Sequence, residues 1–212
     1  GPAPSSSPDW SVGAAVGYGW NKFRDHLGQI LLAVLIVVAV NIGLQAVGFA
    51  VGDSLVLSLV LNVVGFVVTA LVSAGIARTA LDITEGKQVE GAKVLNPPNL
   101  PQVLIYGVIT GIAVTVGLIL CVLPGLAVLL FTAFGVYFLV DKPGVDAVAA
   151  LTSSFNLVKD NIGPVLLWAL TCFGLVLAGA LACGVGLLVT LPIVYIGSAF
   201  TYKKLTGQPV AG

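Results

Sequence analysis

The residues that could carry chemistry are few. The chain has one histidine, His26, next to Asp25. Hydrolytic or transfer chemistry needs nucleophiles, bases or metal ligands that converge on one point. The carboxylates do not form such a set: Asp82, Glu85, Glu90, Asp141, Asp146 and Asp160 are scattered over segments between apolar runs. No Cys/His spacing suits zinc, and no glycine-rich loop opens a helix after a strand, so neither a metal nor a nucleotide cofactor is indicated. The residue pattern predicts no enzyme, no catalytic residue, no metal site and no cofactor.

Three cysteines remain. Cys172 lies within an apolar run, where a thiol acts as a small packing residue. Cys121 and Cys183 fall at turns on a common side, where an oxidising compartment allows a disulfide. That pairing and two independent thiols both stay open. The other polar candidates are Asn41 and Gln45 in the first apolar run and Asn62 in the second. Asn41 lies eight residues before Phe49 and Asn62 eight after Ser54, so both sit ~12 Å below one membrane face at ~1.5 Å per residue. Equal depth on adjacent antiparallel helices predicts an interhelical hydrogen bond, worth roughly 0.6 kcal/mol in membranes. The alternative for these amides is the polar lining of a lateral cavity. No charge lies at mid-depth of any run, where ion-coupled transporters usually carry one.

The elements that position these residues follow from composition. The chain is 58% hydrophobic and only 8% charged, with a mean hydropathy of +1.10, against roughly 25% charged residues in soluble domains. A helix needs ~20 apolar residues to cross a bilayer core. Uncharged runs at 27–52, 54–77, 94–140 and 161–202, the last two divided at "CVLPG" and "ACGVG", predict six spans at roughly 29–49, 54–78, 102–121, 124–140, 163–182 and 187–204. A barrel would show short stretches of alternating polarity, which are absent, so the fold class is an all-α integral membrane protein. Pro192 should kink the sixth span, freeing a carbonyl for Thr190 or a neighbouring helix to satisfy. Small residues at Gly107, Gly111, Gly174 and Ala178 offer faces for close helix packing.

With six spans, all nine Lys and Arg residues fall on one side. The positive-inside rule then puts both termini in the cytoplasm. The alanine-, valine- and glycine-rich, lysine-poor usage points to a bacterium of high genomic G+C content, and so to a bacterial cytoplasmic membrane. The opening "GPAPSSSPDW" has no basic segment leading into an apolar core, so it is not read as a signal peptide. Residues 1–10 are read as a tag remnant followed by a disordered stub.

Two stretches match closely: "WNKFRDHLGQILL" from Trp20 and "FNLVKDNIGPVLL" from Phe155. Before the first, Val12, Val16, Trp20, Phe23 and Leu27 form a helical stripe; before the second, Val148, Leu151, Phe155, Val158 and Ile162 do. Both predict amphipathic helices lying in the cytoplasmic interface, bent at Gly28 and at Gly163-Pro164, with Lys22, Arg24 and Lys159 at lipid headgroups. Lys203 and Lys204, after the last span, are expected there too. Plain extensions of the spans are the alternative. "GIARTALDITEGKQ" and "GSAFTYKKLTGQ" extend the likeness, which defines a parallel repeat: 11–88 and 143–212, each an interfacial helix plus a hairpin, around a middle hairpin at 89–142. In the second copy Asn161 replaces His26, which counts against catalysis by His26.

The stretch "LPGLAVLLFTAFGVYFLVDKPGVDAVAALTSSFNLVKDNIGPVLL" (123–167) and the ending Tyr202, Leu205, Gly207 resemble the membrane domain of glycerophosphodiester phosphodiesterases and related bacterial multi-span membrane proteins of unknown function. The resemblance implies a six-span helical domain and no reaction, because the phosphodiesterase chemistry of such proteins resides in a separate barrel domain. Two functions fit. The first is a non-enzymatic scaffold or accessory domain whose partners are membrane lipids and a membrane protein or a second copy, with no nucleic acid. The second is a transporter or channel for a lipid, peptide or other amphipathic molecule. A cavity larger than ~300 Å³ open to lipid favours the second; a packed bundle favours the first.

Overall fold

The computed structural model describes residues 10–142, 144–182 and 184–211. The expectations for the first nine residues, and for any disulfide to Cys183, lie outside them. The described residues form helices and connecting turns, with no strand. In chain order the helices are α1 (Val12–Asp25), α2 (Leu27–Val51), α3 (Leu55–Thr84), a 3-10 helix (Gly91–Leu95), α4 (Leu100–Leu120), α5 (Val122–Phe131), α6 (Gly135–Asp141), α7 (Ala147–Asp160), α8 (Ile162–Leu181) and α9 (Leu187–Leu205). Among the described residues five helical stretches are long and apolar enough to cross a membrane: Leu27–Val51, Leu55–Thr84, Leu100–Leu120, Val122–Asp141 and Ile162–Leu181. The expected sixth, α9, is one continuous helix of 19 residues. It is less apolar, carrying Thr190, Tyr195, Ser198, Thr201, Tyr202 and two lysines.

α9 is the axis of the bundle. Nine of its 19 residues are buried, from Pro192 to Lys203. α8 runs antiparallel to it, with the Trp168 ring seated on Gly197 and Gly179 opposite Thr190 and Leu187. The Trp168 indole N–H also donates to the Ser198 hydroxyl at 3.0 Å. α1 runs antiparallel along another side, with Trp10 donating to Thr201 at 2.9 Å. Further along, Gly197 faces the Ala15 carbonyl, and Gly19 lies so close to Ile193 that an added Cβ would sit 2.8 Å from its carbonyl oxygen.

The faces that α1 and α7 pack on the protein lie about one residue from the stripes expected to face the membrane. α1 buries Ala15, Gly19 and Phe23, and α7 buries Ala147, Ala150, Ser154, Leu157 and Val158. Within the predicted stripes Phe23 and Val158 are buried, whereas Trp20, Leu27, Val148, Phe155 and Ile162 are exposed. Small side chains allow the closer helix approach, which decides the face that meets the protein.

The bends fall earlier than expected. α1 ends at His26 (φ −117°, ψ 28°) and α7 at Asn161 (φ −130°, ψ 38°), while Gly28 and Gly163 lie inside the following helices. Both cap residues reach back to the carbonyl four positions before: His26 Nδ1 is 3.1 Å from the Lys22 oxygen, and Asn161 Nδ2 donates to Leu157 at 2.9 Å. A carbonyl at a helix end needs such a partner. The His/Asn replacement thus keeps one capping function.

The fourth apolar stretch is interrupted between α5 and α6. Ser154 of α7 holds the break, accepting from the Phe134 N–H at 3.2 Å and donating to the Phe131 carbonyl at 2.7 Å. Tyr106 donates to the Thr132 carbonyl, and its ring lies over Gly135, where a Cβ would collide with it. These bonds satisfy backbone groups that an unbroken helix would have paired internally.

Candidate functional site: an apolar cleft beside a buried ion cluster

Between α2, α3 and α9 lies a cavity of about 350 Å³. Ile30, Val34 and Val38 of α2, Ile76 and Ala80 of α3, and Leu191 and Pro192 of α9 form much of its wall. The 3-10 helix holds one end. Its Gly91 N–H donates to the Gln29 side chain at 2.8 Å, and Val94, also part of the wall, lies directly on Gly75 of α3. Thr79 and Tyr195 are the polar members of the lining. Apolar pockets of roughly 300–1,000 Å³ with few polar groups are typical ligand sites.

Pro192 contributes to this wall without interrupting α9. Its missing N–H leaves the Leu188 carbonyl without its usual donor. Thr190, expected to compensate, makes no hydrogen bond through its hydroxyl.

Beyond one end of the cleft, the C-terminal ends of α3, α6 and α9 are tied together by ions. Lys203 Nζ lies 2.8 Å from Glu85 and 3.3 Å from Asp141, and donates to Gln208 at 2.9 Å. Tyr202 donates to Asp141 at 2.7 Å. Arg78 pairs with Asp82 at 2.7 Å and with Glu85 at 2.6 Å, and also donates to the Val140 carbonyl. Burial would raise the Glu85 carboxyl, but hydrogen bonds from Lys203 and Lys87 and the nearby Arg78 charge outweigh it and hold Glu85 down at about 2. Lys203 was expected at the headgroups. It is 4% exposed, because a lysine stem crossing a helix end reaches two carboxylates there.

The other basic candidates remain at the surface beside aromatic rings. Lys22 sits 5.6 Å from the Tyr18 ring, Arg24 5.6 Å from Trp20, Lys159 6.0 Å from Phe155 and Lys204 5.6 Å from Phe200. The Arg24–Trp20 and Lys159–Phe155 pairs occupy matching places in the two similar stretches. Matching details recur at the ends of α3 and α9 as well. Thr79 donates to Gly75 and Thr201 to Gly197, each at 2.8 Å, and the helices end in Gly86 and Gly207 at φ 70° and 72°.

Asn41, Gln45 and Asn62 are exposed, and the expected Asn41–Asn62 bond is not formed. Asn41 instead donates to its own helix, at the Val37 carbonyl, 2.8 Å away. The reason is rotational: α2 and α3 face each other through Val40, Leu44 and Val47 and through Leu57, Leu61 and Val64, and both amides lie off that seam. Gly107 packs under the Phe66 ring, whereas Gly111, Gly174 and Ala178 are exposed. α8 uses the neighbouring face, Val165, Trp168 and Gly179. Cys121 is exposed and Cys172 half-buried.

Fold and cleft together define a membrane-like, all-helical protein with an apolar lateral cavity. Its sequence is similar to the uncharacterized protein Rv2560 of Mycobacterium tuberculosis and the uncharacterized protein Mb2590 of Mycobacterium bovis. Each is 29% identical over 237 aligned positions, covering 99% of this chain and 73% of the relative. No protein-family model matches the chain, and no solved structure matches it significantly.

Proposed function

We propose that this protein is a non-enzymatic bacterial membrane protein that holds, and passes across or along the bilayer, a lipid or similarly amphipathic molecule whose apolar part lies between α2, α3 and α9. The observation that carries this reading is the cavity itself, about 350 Å³ in volume and lined by apolar side chains. A scaffold that only organises partners has no need of it. In the proposed arrangement α9 is a sixth span, its antiparallel packing on α8 supporting that assignment. The ends of α3, α6 and α9 that share the Lys203 cluster face the cytoplasm, as do both termini, in accord with the basic residues on that side. α1 and α7 lie at this interface with Trp20 and Phe155 toward lipid and Arg24 and Lys159 near phosphates. The two helix-plus-hairpin units are copies, a reading supported by the paired caps, cation–aromatic contacts and terminal glycines. The likeness to phosphodiesterase membrane domains fits a role in handling lipid.

Native mass spectrometry of protein released from lipid nanodiscs tests the reading. Retention of one lipid per chain is expected, with loss in Leu191→Trp or Val38→Trp. Both positions are half-exposed wall residues, at 37% and 43%, where a larger ring enters the cleft rather than the core. Equal retention by wild type and both variants, with unchanged thermal unfolding, contradicts it.

A further inference from the structure

Beyond the cavity wall, which reaches Val38 on α2 and Ile76 on α3, the same helix faces continue. On α2 the wall residues Ile30, Val34 and Val37 are followed at four-residue steps by Asn41 and Gln45, which keep to the same side of the helix at 3.6 residues per turn. On α3 the wall residues Ile83, Ala80 and Ile76 are followed, at steps of three or four and then seven, by Ser73, Thr69 and Asn62, with Ser58 one turn further. These four are the polar residues of α3 before Arg78, and they fall within an arc of about 60°. Asn41, Gln45, Asn62, Thr69 and Ser73 are exposed. The same two helix faces are thus apolar along the cavity and carry polar residues from there toward the α2–α3 turn.

Apart from Asn41, which bonds back to Val37, the exposed polar side chains of this stripe make no hydrogen bond to a described residue. Hydroxyls inside apolar helices commonly bond back to the carbonyl four residues before, as Thr79, Thr110, Thr115, Thr171 and Thr201 do here. Thr69 and Ser73 make no such bond, and the side chains of Gln45 and Asn62 bond to no described residue. In hydrocarbon an unpaired amide or hydroxyl is costly, so a group that supplies partners is favoured at this face. Charge is absent from the stripe. Arg78 is rotated to the far side of α3, engaged with Asp82 and Glu85. A phosphate would find no cation here, whereas hydroxyls match amides and hydroxyls that both donate and accept.

We infer that the occupant of the cleft is a lipid with an uncharged, hydroxyl-rich headgroup of glycosyl type. Its chain fills the apolar cavity, and its hydroxyls bond along Asn41, Gln45, Asn62, Thr69 and Ser73. The inference rests on the lipid-holding role proposed above and adds the class of lipid.

The test is competition in nanodiscs among monoglucosyl diacylglycerol, diacylglycerol and phosphatidylglycerol of identical chains, read by native mass spectrometry. Wild type should retain the glucosyl lipid about tenfold over either competitor, the effect of two or three intramembrane hydrogen bonds. In the triple variant Asn62→Val, Thr69→Val, Ser73→Ala that ratio should fall to about one, with thermal unfolding unchanged. Equal retention of all three lipids by wild type overturns the headgroup assignment alone. A dimer abolished by the triple variant also overturns it, since the stripe would then be covered by a second copy. Retention of no lipid, with Leu191→Trp indistinguishable from wild type, removes the lipid-holding role itself.

Discussion

α8 and α9 are closely joined, while α2 and α3 are loosely joined, although their sequences run parallel at the helix junctions and at the closing segments. In the tight pair, glycines remove the barrier to approach: Trp168 seats on Gly197, and Gly179 lies against Thr190. In the loose pair one glycine, Gly48, meets Leu61, while Gly43 and Gly65 have nothing within 4 Å. The result for burial is large. α9 buries nine of 19 residues, and α2 buries only Ile30 among its 25. α9 also has α1 along its flank, whereas α2 has the short 3-10 helix against its Gln29–Ala33 turn. One hairpin therefore builds an axis, and the other builds one side of a cleft. The cleft exists because α2 lacks a third helix to cover its inner face.

Four changes probe this contrast. The largest effect is expected at the axis, where Lys203→Ala leaves Glu85 and Asp141 without their shared cation. Removing one partner of a buried ion cluster costs about 3–5 kcal/mol, measurable by denaturant unfolding in detergent. Lys204→Ala, one residue on at the surface, should cost a small fraction of that. Next, Gly197→Val pushes into the Trp168 ring and should lose about 1–3 kcal/mol by overpacking, whereas Gly43→Ala, in open space, should be neutral or slightly stabilising. If the two glycine changes behave alike, the tight and loose hairpins are not distinct.

The third probe is pH. The Lys203 and Lys87 hydrogen bonds and the Arg78 charge hold the Glu85 carboxyl down at about 2 in the folded protein, against an ordinary value of 4.5. Its lowered value means that its contribution is present above pH 4.5 and is lost as pH falls toward 2. Glu85→Gln should flatten the acid limb of a thermal-stability profile between those values. The smallest effect is expected for Asn41→Ala: an exposed side chain bonded only to its own helix should change stability by no more than about 0.5 kcal/mol. An interhelical bond from Asn41 would make the loss larger and would tie α2 to α3 more firmly than the structure does.

Much of the helix layout was legible from the residues, because long uncharged runs and Gly/Pro breaks are direct consequences of a hydrocarbon environment. The ends of α2, α4 and α8 lie within a few residues of expectation, while α3 runs on to Thr84. Helix faces were less legible. The large apolar stripes of α1 and α7 predict a face toward the membrane, whereas the face packed on the protein centres on small residues, Ala15 and Gly19 in α1 and Ala147, Ala150 and Ser154 in α7, with Phe23, Leu157 and Val158 beside them. Hydrophobic periodicity does not separate a face toward lipid from a face toward protein, since both are apolar; small residue size does.

The break at Thr132–Phe134 depends on Ser154 and Tyr106, partners 20 or more residues away. The ion cluster likewise joins residues far apart in sequence, and only the charges of Glu85, Asp141 and Lys203 hinted at it. The cleft could not be seen in any one segment. Its polar extension could have been, because Asn62, Thr69 and Ser73 recur at helical spacing.

Photo-cross-linking with a lipid that carries a diazirine on its acyl chain tests the lipid-holding cleft most directly, with adducts mapped by peptide mass spectrometry. The account predicts adducts concentrated on 30–38, 76–83 and 187–196, the three walls of the cavity, and their loss in Leu191→Trp. Adducts spread evenly over the exposed leucines and valines of α2, α4 and α8, unchanged by that variant, would contradict it.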